Sequence, residues 1–246
     1  MGLSRRQFFA ITTPALALGQ APQSRGLKIV CVGAHPDDPE SICGGTLARY
    51  VARGHAVTLM YLTRGEAGIP GKSHDEAAAI RSAECAAACK ILGAKAVFAG
   101  QIDGATVVDA KAVESFSGLL SAERPNVVFT HWPIDAHLDH QAASTLTFRA
   151  WLAGRRSFEL YYAEGNLGSQ TMGFHPTDYV DITAVREKKK AALFAHVSQD
   201  AAGFYRQYHE VMENFRGREY GVTAAEAFVH LARGSSGAAS LPGLGL

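Results

Sequence analysis

From Leu27 onward, short continuously apolar runs alternate with longer stretches of helical composition. Residues 27–32, 56–62, 96–98 and 126–130 read as strands, and residues 44–53, 75–92 and 110–122 between them as helices. The second helix is the best bounded: Ser73 and Glu76 stand at capping-box spacing, and Gly93 supplies a C-terminal stop. Strands that are apolar on both faces belong in a sheet covered on both sides, and strand–helix–strand alternation makes that sheet parallel. The pattern therefore predicts an α/β fold, Rossmann-like and doubly wound, with a mostly parallel sheet and helices on both faces. Beyond Trp151 the rhythm changes: residues 160–164 and 179–181 read as short strands and residues 183–195 and 204–216 as helices, completing one domain over residues 23–233.

The two ends of the chain break this pattern. Residues 1–22 carry Ser4-Arg5-Arg6-Gln7-Phe8-Phe9 and then an apolar stretch, residues 8–18, too short to cross a hydrocarbon core of ~30 Å. Paired arginines ahead of two phenylalanines resemble the twin-arginine export signal. The expectation is a signal peptide, export in the folded state, and a periplasmic or secreted mature protein with no stable membrane anchor. Residues 234–246 are uncharged and rich in Gly, Ser and Ala, and are expected to form a flexible tail.

Composition narrows the partners. With 47% hydrophobic and 19% charged residues, a chain of 246 residues folds around its own core and needs no disulfide or metal staple to do so. Lys and Arg number 24 against 23 Asp and Glu, so no long-range positive field gathers phosphate backbones, and nucleic acid is not an expected partner. The most basic run is Lys188-Lys189-Lys190. The four cysteines, Cys31, Cys43, Cys85 and Cys89, form no C-x-x-C pair and read as small buried residues, with a bridge at Cys31 or Cys43 left open.

Two clusters carry chemistry. Directly after the first strand comes Gly33-Ala34-His35-Pro36-Asp37-Asp38-Pro39-Glu40, where a dinucleotide-binding fold would place G-x-G-x-x-G. One imidazole and two adjacent carboxylates replace bare backbone amides, a group that repels phosphate and suits a divalent cation. The second cluster, residues 131–140, follows the strand at 126–130 and holds His131, Asp135, His137, Asp139 and His140. In a doubly wound sheet, loops after the strands flanking the switch point face each other across a crevice, so both clusters meet at one site. Two nitrogens and one carboxylate drawn from them satisfy a catalytic zinc that keeps a position for water.

A-H-P-D-D followed by D-x-H-x-D-H resembles the signatures of the LmbE-like family, which includes the N-acetylglucosaminyl-phosphatidylinositol (PIG-L) de-N-acetylases. The likeness extends to Gly44-Gly45-Thr46, Thr63-Arg64-Gly65-Glu66, Arg81 with Glu84, Asp103-Gly104, Asp181-Ile182-Thr183 and His196-Val197-Ser198-Gln199. The resemblance implies a zinc-dependent hydrolase, with Fe2+ or Co2+ as other candidate metals. It would remove an N-acyl group, acetyl first of all, from a small-molecule amino sugar or a related glycoconjugate. It also implies His35, Asp38 and His140 as metal ligands, Asp37 as the general base that activates water and then protonates the departing amine, and His137 as a second polarising group. Asp135 and Asp139 become candidates to fix histidine tautomers, and Arg64 and Asp103 to bind substrate. One departure stands out: the commonest family form has Glu directly after the two aspartates, whereas here Pro39 precedes Glu40.

The remaining candidates have ordinary readings. Arg81 and Glu84 suit an i,i+3 helix pair. His55, His74, His175, His209 and His230 are assigned to surface or core, Phe204, Tyr205 and Tyr208 to core packing, and His131 and His196 stay open between packing and site. Two other functions compete: a nucleotide-using redox or transferase enzyme, which lacks its glycine fingerprint, and a periplasmic carbohydrate-binding protein of the same fold without turnover, which has no use for a base beside a metal.

Overall fold

The computed structural model describes residues 26–166, 169–231 and 241–244. Seven strands form one mixed sheet in the order β3-β2-β1-β4-β5-β7-β6. Strands β1 (Lys28–Gly33), β2 (Ala56–Tyr61), β3 (Lys95–Phe98), β4 (Val127–His131) and β5 (Glu159–Ala163) are parallel, as their uninterrupted apolar runs require. β6 (Asp178–Asp181) and β7 (Ala225–His230) close the far edge, with β7 antiparallel to both its neighbours.

Alternate residues of each strand face opposite layers. Ile29, Cys31, Leu59 and Tyr61 pack on one side with residues of α1 (Asp38–Ala52) and α2 (His74–Leu92), and with Ala192 of α5 (Arg186–Leu193). Val30, Val32, Met60 and Leu160 pack on the other with α3 (Ala110–Glu123) and α4 (Leu138–Ala153). The predicted α/β architecture with helices on both faces is the one observed. The capping box at Ser73 and Glu76 forms, and Gly93 ends α2 in the left-handed conformation.

Several local readings change. α1 starts at Asp38 rather than near Gly44, because Pro39 sits in the first turn, where a missing N–H costs nothing. α4 and β7 have no counterpart among the predicted elements. The helix expected over 204–216 is interrupted: α6 (Ala201–Phe204) runs into a π-turn, Tyr205–His209, before α7 (Glu210–Tyr220). All four cysteines are free and buried in one core cluster. Leu241 and Leu244 are buried in that cluster too, so the described part of the expected flexible tail, residues 241–244, is anchored at both ends. The proposed signal peptide, residues 1–22, lies outside the described residues. Among the described residues no helix is long and apolar enough to cross a membrane.

The basic run contains a core residue. Lys189 is fully buried, with Nζ 2.8 Å from Glu213 Oε1 and 2.7 Å from Glu226 Oε1. Glu226 also accepts from the backbone N–H groups of Gly45 and Thr46, tying β7 to the middle of α1. Gly45 is required there, since a Cβ would lie 2.6 Å from Ile182 Cγ2. Lys189→Met leaves the buried Glu226 carboxylate without its counter-charge and Glu213 with Arg186 alone, and is expected to cost about 3–5 kcal/mol, read as a lower denaturant midpoint at unchanged slope.

Candidate active site

β1 and β4 are neighbours in the sheet, yet the chain leaves them for opposite faces, through α1 and α4 respectively. The loops at their C-terminal ends therefore flank a crevice. Gly33 permits the first loop to turn sharply: a Cβ there would meet Pro39 Cδ at 2.6 Å and Asp38 Cβ at 2.7 Å. Asp38 opens α1 and accepts from the His35 backbone N–H at 2.7 Å, clamping the loop. On the other side His137 caps α4, its Nδ1 accepting from the Asp139 N–H at 3.2 Å, which places Asp139 and His140 in the first turn facing inward.

The two clusters meet. The rings of His35 and His140 lie 5.5 Å apart between centroids, and Asp38 lies between them. His35 Nδ1 is 3.3 Å from Asp38 Oδ2, and His140 Nε2 is 3.3 Å from Asp38 Oδ1. One donor atom from each of His35, Asp38 and His140 falls within 4.8 Å of the others. The far nitrogens are held elsewhere. His35 Nε2 is 3.1 Å from Asp139 Oδ2 and 3.2 Å from Asp103 Oδ1, and Asp139 is itself fixed by the Gly104 N–H and the Thr106 hydroxyl. His140 Nδ1 faces Asp135 Oδ2 at 3.3 Å and the Gln170 amide at 2.8 Å. Two imidazoles oriented by carboxylates behind them, with the Asp38 carboxylate between, make a donor set that fits a divalent cation.

Charge at the site agrees. Burial alone would lower the pKa of His140, but the carboxylates of Asp38 and Asp135 overcome it and push it up to about 9. Burial would raise Asp38, yet His140 and His131 hold it well below the usual carboxylate range. The two opposite shifts record a carboxylate–imidazole pairing at the place where a cation would sit. Two further trios share these residues: His35, His137 and Asp139, and His131, Asp135 and His140. His131 is fully buried and stacked on His140 at 3.9 Å, with its Nε2 accepting from the Ala34 N–H at 3.3 Å.

Asp37 stands beside the trio in a different role. Its φ of 106° is a left-handed conformation unusual for a residue with a Cβ, the kind of strain that persists where surrounding contacts impose it. Arg81, from α2, imposes it by donating from Nη2 to Asp37 Oδ2 at 2.9 Å and to the Pro36 carbonyl oxygen. Burial raises the Asp37 carboxyl to about 6, with the neighbouring Asp38 charge adding to the rise and Arg81 pulling against it. A carboxyl near 6 can exchange protons at neutral pH.

The other sequence candidates are redistributed. Arg81 does not pair with Glu84, which instead accepts from the Ser198 N–H and hydroxyl at 2.7 Å each. Arg64 folds onto Glu66 at 3.1 Å and leaves half its side chain in solvent, outside the cavity lining. Asp103 braces His35 from behind rather than facing the cavity. His137 is exposed at the rim, 4.8 Å between ring centroids from both His35 and His140. Glu40 is fully buried, bridging the Tyr61 hydroxyl at 2.9 Å and His196 Nε2 at 3.0 Å, so the proline before it leaves it a structural post beneath the loop. Phe204 and His209, both assigned to packing or surface, line the cavity beside Asp37, Asp38 and His140. The signal missed for His209 is the π-turn, which leaves no trace in hydrophobic periodicity.

A doubly wound α/β sheet with a cation-competent His/Asp crevice at its switch point defines the class. The model of the GlcNAc-PI de-N-acetylase (PIG-L) family matches residues 30–151. The chain is 30% identical over 186 residues to the diacetylchitobiose deacetylase of Thermococcus kodakarensis, covering 70% of each chain. It is 28% identical over 226 residues to the 1D-myo-inositol 2-acetamido-2-deoxy-alpha-D-glucopyranoside deacetylase of Mycobacteroides abscessus, covering 70% of this chain and 81% of that one. A conserved protein of Thermus thermophilus superposes with a TM-score of 0.73 at 34% identity, over 86% of this chain and all of the other. The chain belongs to the PIG-L family.

Proposed function

We propose that this protein is a zinc-dependent N-deacetylase that removes an acyl group, acetyl first of all, from an amino sugar or a related glycoconjugate. The observation that carries this reading is the convergence of His35, Asp38 and His140, with Asp37 poised on the cavity that Asp38 and His140 line. Relatives named as deacetylases of diacetylchitobiose and of a 2-acetamido-2-deoxyglucopyranoside of myo-inositol support the substrate class. A divalent cation held by those three residues would polarise the amide carbonyl and lower the pKa of water to roughly 7.

The chain's own groups perform the proton work. Arg81 occupies Asp37 Oδ2, leaving Oδ1 to take a proton from the attacking water and return it to the departing amine. His137 accepts the Asp139 N–H at Nδ1, so its proton sits on Nε2. Partial burial lowers its pKa, making it a neutral donor for the oxyanion that develops on the amide oxygen. Asp135 and Asp139 hold the orientation of His140 and His35. Zinc-loaded protein assayed against a panel of N-acyl amino sugars is expected to release free acid and free amine in equal amounts; no release from any of them overturns the reading.

Arg81 gives a pH signature. Removing its positive charge lets the Asp37 pKa rise, so less of the base is ionised at neutral pH. For Arg81→Met the ascending limb of the kcat/KM profile is expected to move to higher pH than in the parent, and a limb that stays in place removes Arg81 from this role.

Export completes the proposal. Residues 1–22 fused to a folded reporter should carry it out of the cytoplasm and fail when Arg5 and Arg6 become Lys; retention of the unmodified fusion in the cytoplasm contradicts a periplasmic or secreted location.

A further inference from the structure

The cavity of about 240 Å³ that contains Asp37, Asp38 and His140 is walled in part by the short helical turn Val197–Gln199, which the mechanism does not use. Gln199 is the residue of that turn that lines the cavity, and its amide is fixed end for end. Nε2 donates to the Gly68 carbonyl oxygen at 3.1 Å and to the Ser198 hydroxyl at 3.0 Å, and that hydroxyl itself donates to Glu84 at 2.7 Å. A carbonyl oxygen, and a hydroxyl whose proton is already given away, can only accept, so the nitrogen end is settled and both its hydrogens are used. Oε1 is left without a hydrogen-bond partner among the described residues, and it is not one of the enclosed atoms, so a bound molecule can reach it. The charge of the cavity is one-sided as well. Its lining offers the carboxylates of Asp37 and Asp38 and, among the described residues, no Lys or Arg. The cations nearby are spent: Arg81 on Asp37, Arg64 on Glu66, and Lys189 on Glu213 and Glu226.

We propose that Gln199 Oε1 accepts a hydrogen bond from a hydroxyl of the sugar seated in this cavity, and that the site therefore takes amino sugars with that hydroxyl free and rejects those carrying a phosphate ester there. The inference rests on the amino-sugar reading of the site and adds the residue that selects among such sugars. A carboxamide oxygen has lone pairs and no proton, so its complement is a donor. A phosphate would set oxygen against oxygen, close to two carboxylates and with no free cation to offset its charge. Gly68 and Ser198 hold the acceptor in place before the sugar arrives, so binding spends little on ordering it. Ile42, Leu193 and Phe204, on the same cavity, suit the C–H faces of a pyranose.

The test compares zinc-loaded parent, Gln199→Met and Gln199→Lys on N-acetylglucosamine, on its singly deoxygenated analogues and on the phosphate esters of the same hydroxyls. In the parent one deoxygenated analogue is expected to lose about tenfold in kcat/KM, because Oε1 then goes unmatched. The phosphate ester of that same hydroxyl should lose at least about a hundredfold. Gln199→Met should lose about tenfold on the full sugar, mainly through KM, and show no further loss on that analogue. A loosened turn at Gly68 would slow every substrate alike, so it leaves this comparison within one variant untouched. Gln199→Lys, which puts a positive donor in place of the acceptor, should narrow the gap between the phosphate ester and the free sugar by at least about tenfold. The assignment falls, with the deacetylase reading intact, if no deoxygenated analogue is penalised in the parent, if Gln199→Met keeps the parent's penalty, or if the phosphate esters are all turned over as well as the free sugar. Failure of the parent to act on any N-acyl amino sugar overturns both.

Discussion

Asp37→Asn is expected to lower turnover by about 10³-fold while the protein keeps its full metal content. The substitution is chosen for its geometry. Asparagine tolerates a positive φ better than most residues, so the loop that holds φ at 106° keeps its shape. The amide oxygen still accepts from Arg81, and only the ability to carry a proton is lost. Alanine would mix loss of the base with loss of the Arg81 contact. Steady-state kinetics together with metal analysis of the same preparation decide the matter: near-normal rates would remove Asp37 as the base, and a parallel loss of metal would make it a ligand.

His140→Ala is expected to reduce bound metal from about one ion per chain to almost none, and turnover by at least about 10³-fold. The ring supplies one of the three donors assigned to the ion, and Asp38 and His35 alone do not complete a catalytic site. Elemental analysis reads the metal directly, and the rise in melting temperature on adding zinc should disappear with it. Unchanged metal content would sink the ligand assignment. The companion variant His131→Asn separates the trios that share His140: retained metal selects His35, Asp38 and His140, and lost metal selects His131, Asp135 and His140.

Much of the fold was legible in the sequence, for reasons that differ by element. The central parallel strands β1, β2, β4 and β5 announce themselves because burial on both faces demands largely apolar runs, whereas β3, at the sheet edge, is only partly buried. α2 is legible at both ends because its cap residues are the ones that satisfy orphan backbone groups. α4 is not, because its cap is His137, inside a stretch that reads as chemistry rather than as a helix start. β7 is hidden for another reason: Ala-Glu-Ala-Phe-Val-His has neither alternation nor a continuous apolar run, since Glu226 points inward to meet Lys189 and α1. The same buried network explains why a lysine run that suggests surface charge contains a core residue. Arg81 and Glu84 show the limit of helical spacing as a guide, because each finds a better partner on a remote segment than on its own helix.

Local order in the chain determined the sheet, the two reactive loops and their place after β1 and β4, because periodicity, capping and turn chemistry act over a few residues. Folding in three dimensions decided which nitrogen of each histidine faces inward, that Arg81 holds Asp37, that Asp103 and Asp139 brace His35 across the crevice, and that His209 reaches the cavity. Those outcomes depend on contacts between segments from tens to well over a hundred residues apart, and side chains so far separated choose partners by packing and charge after the sheet has assembled.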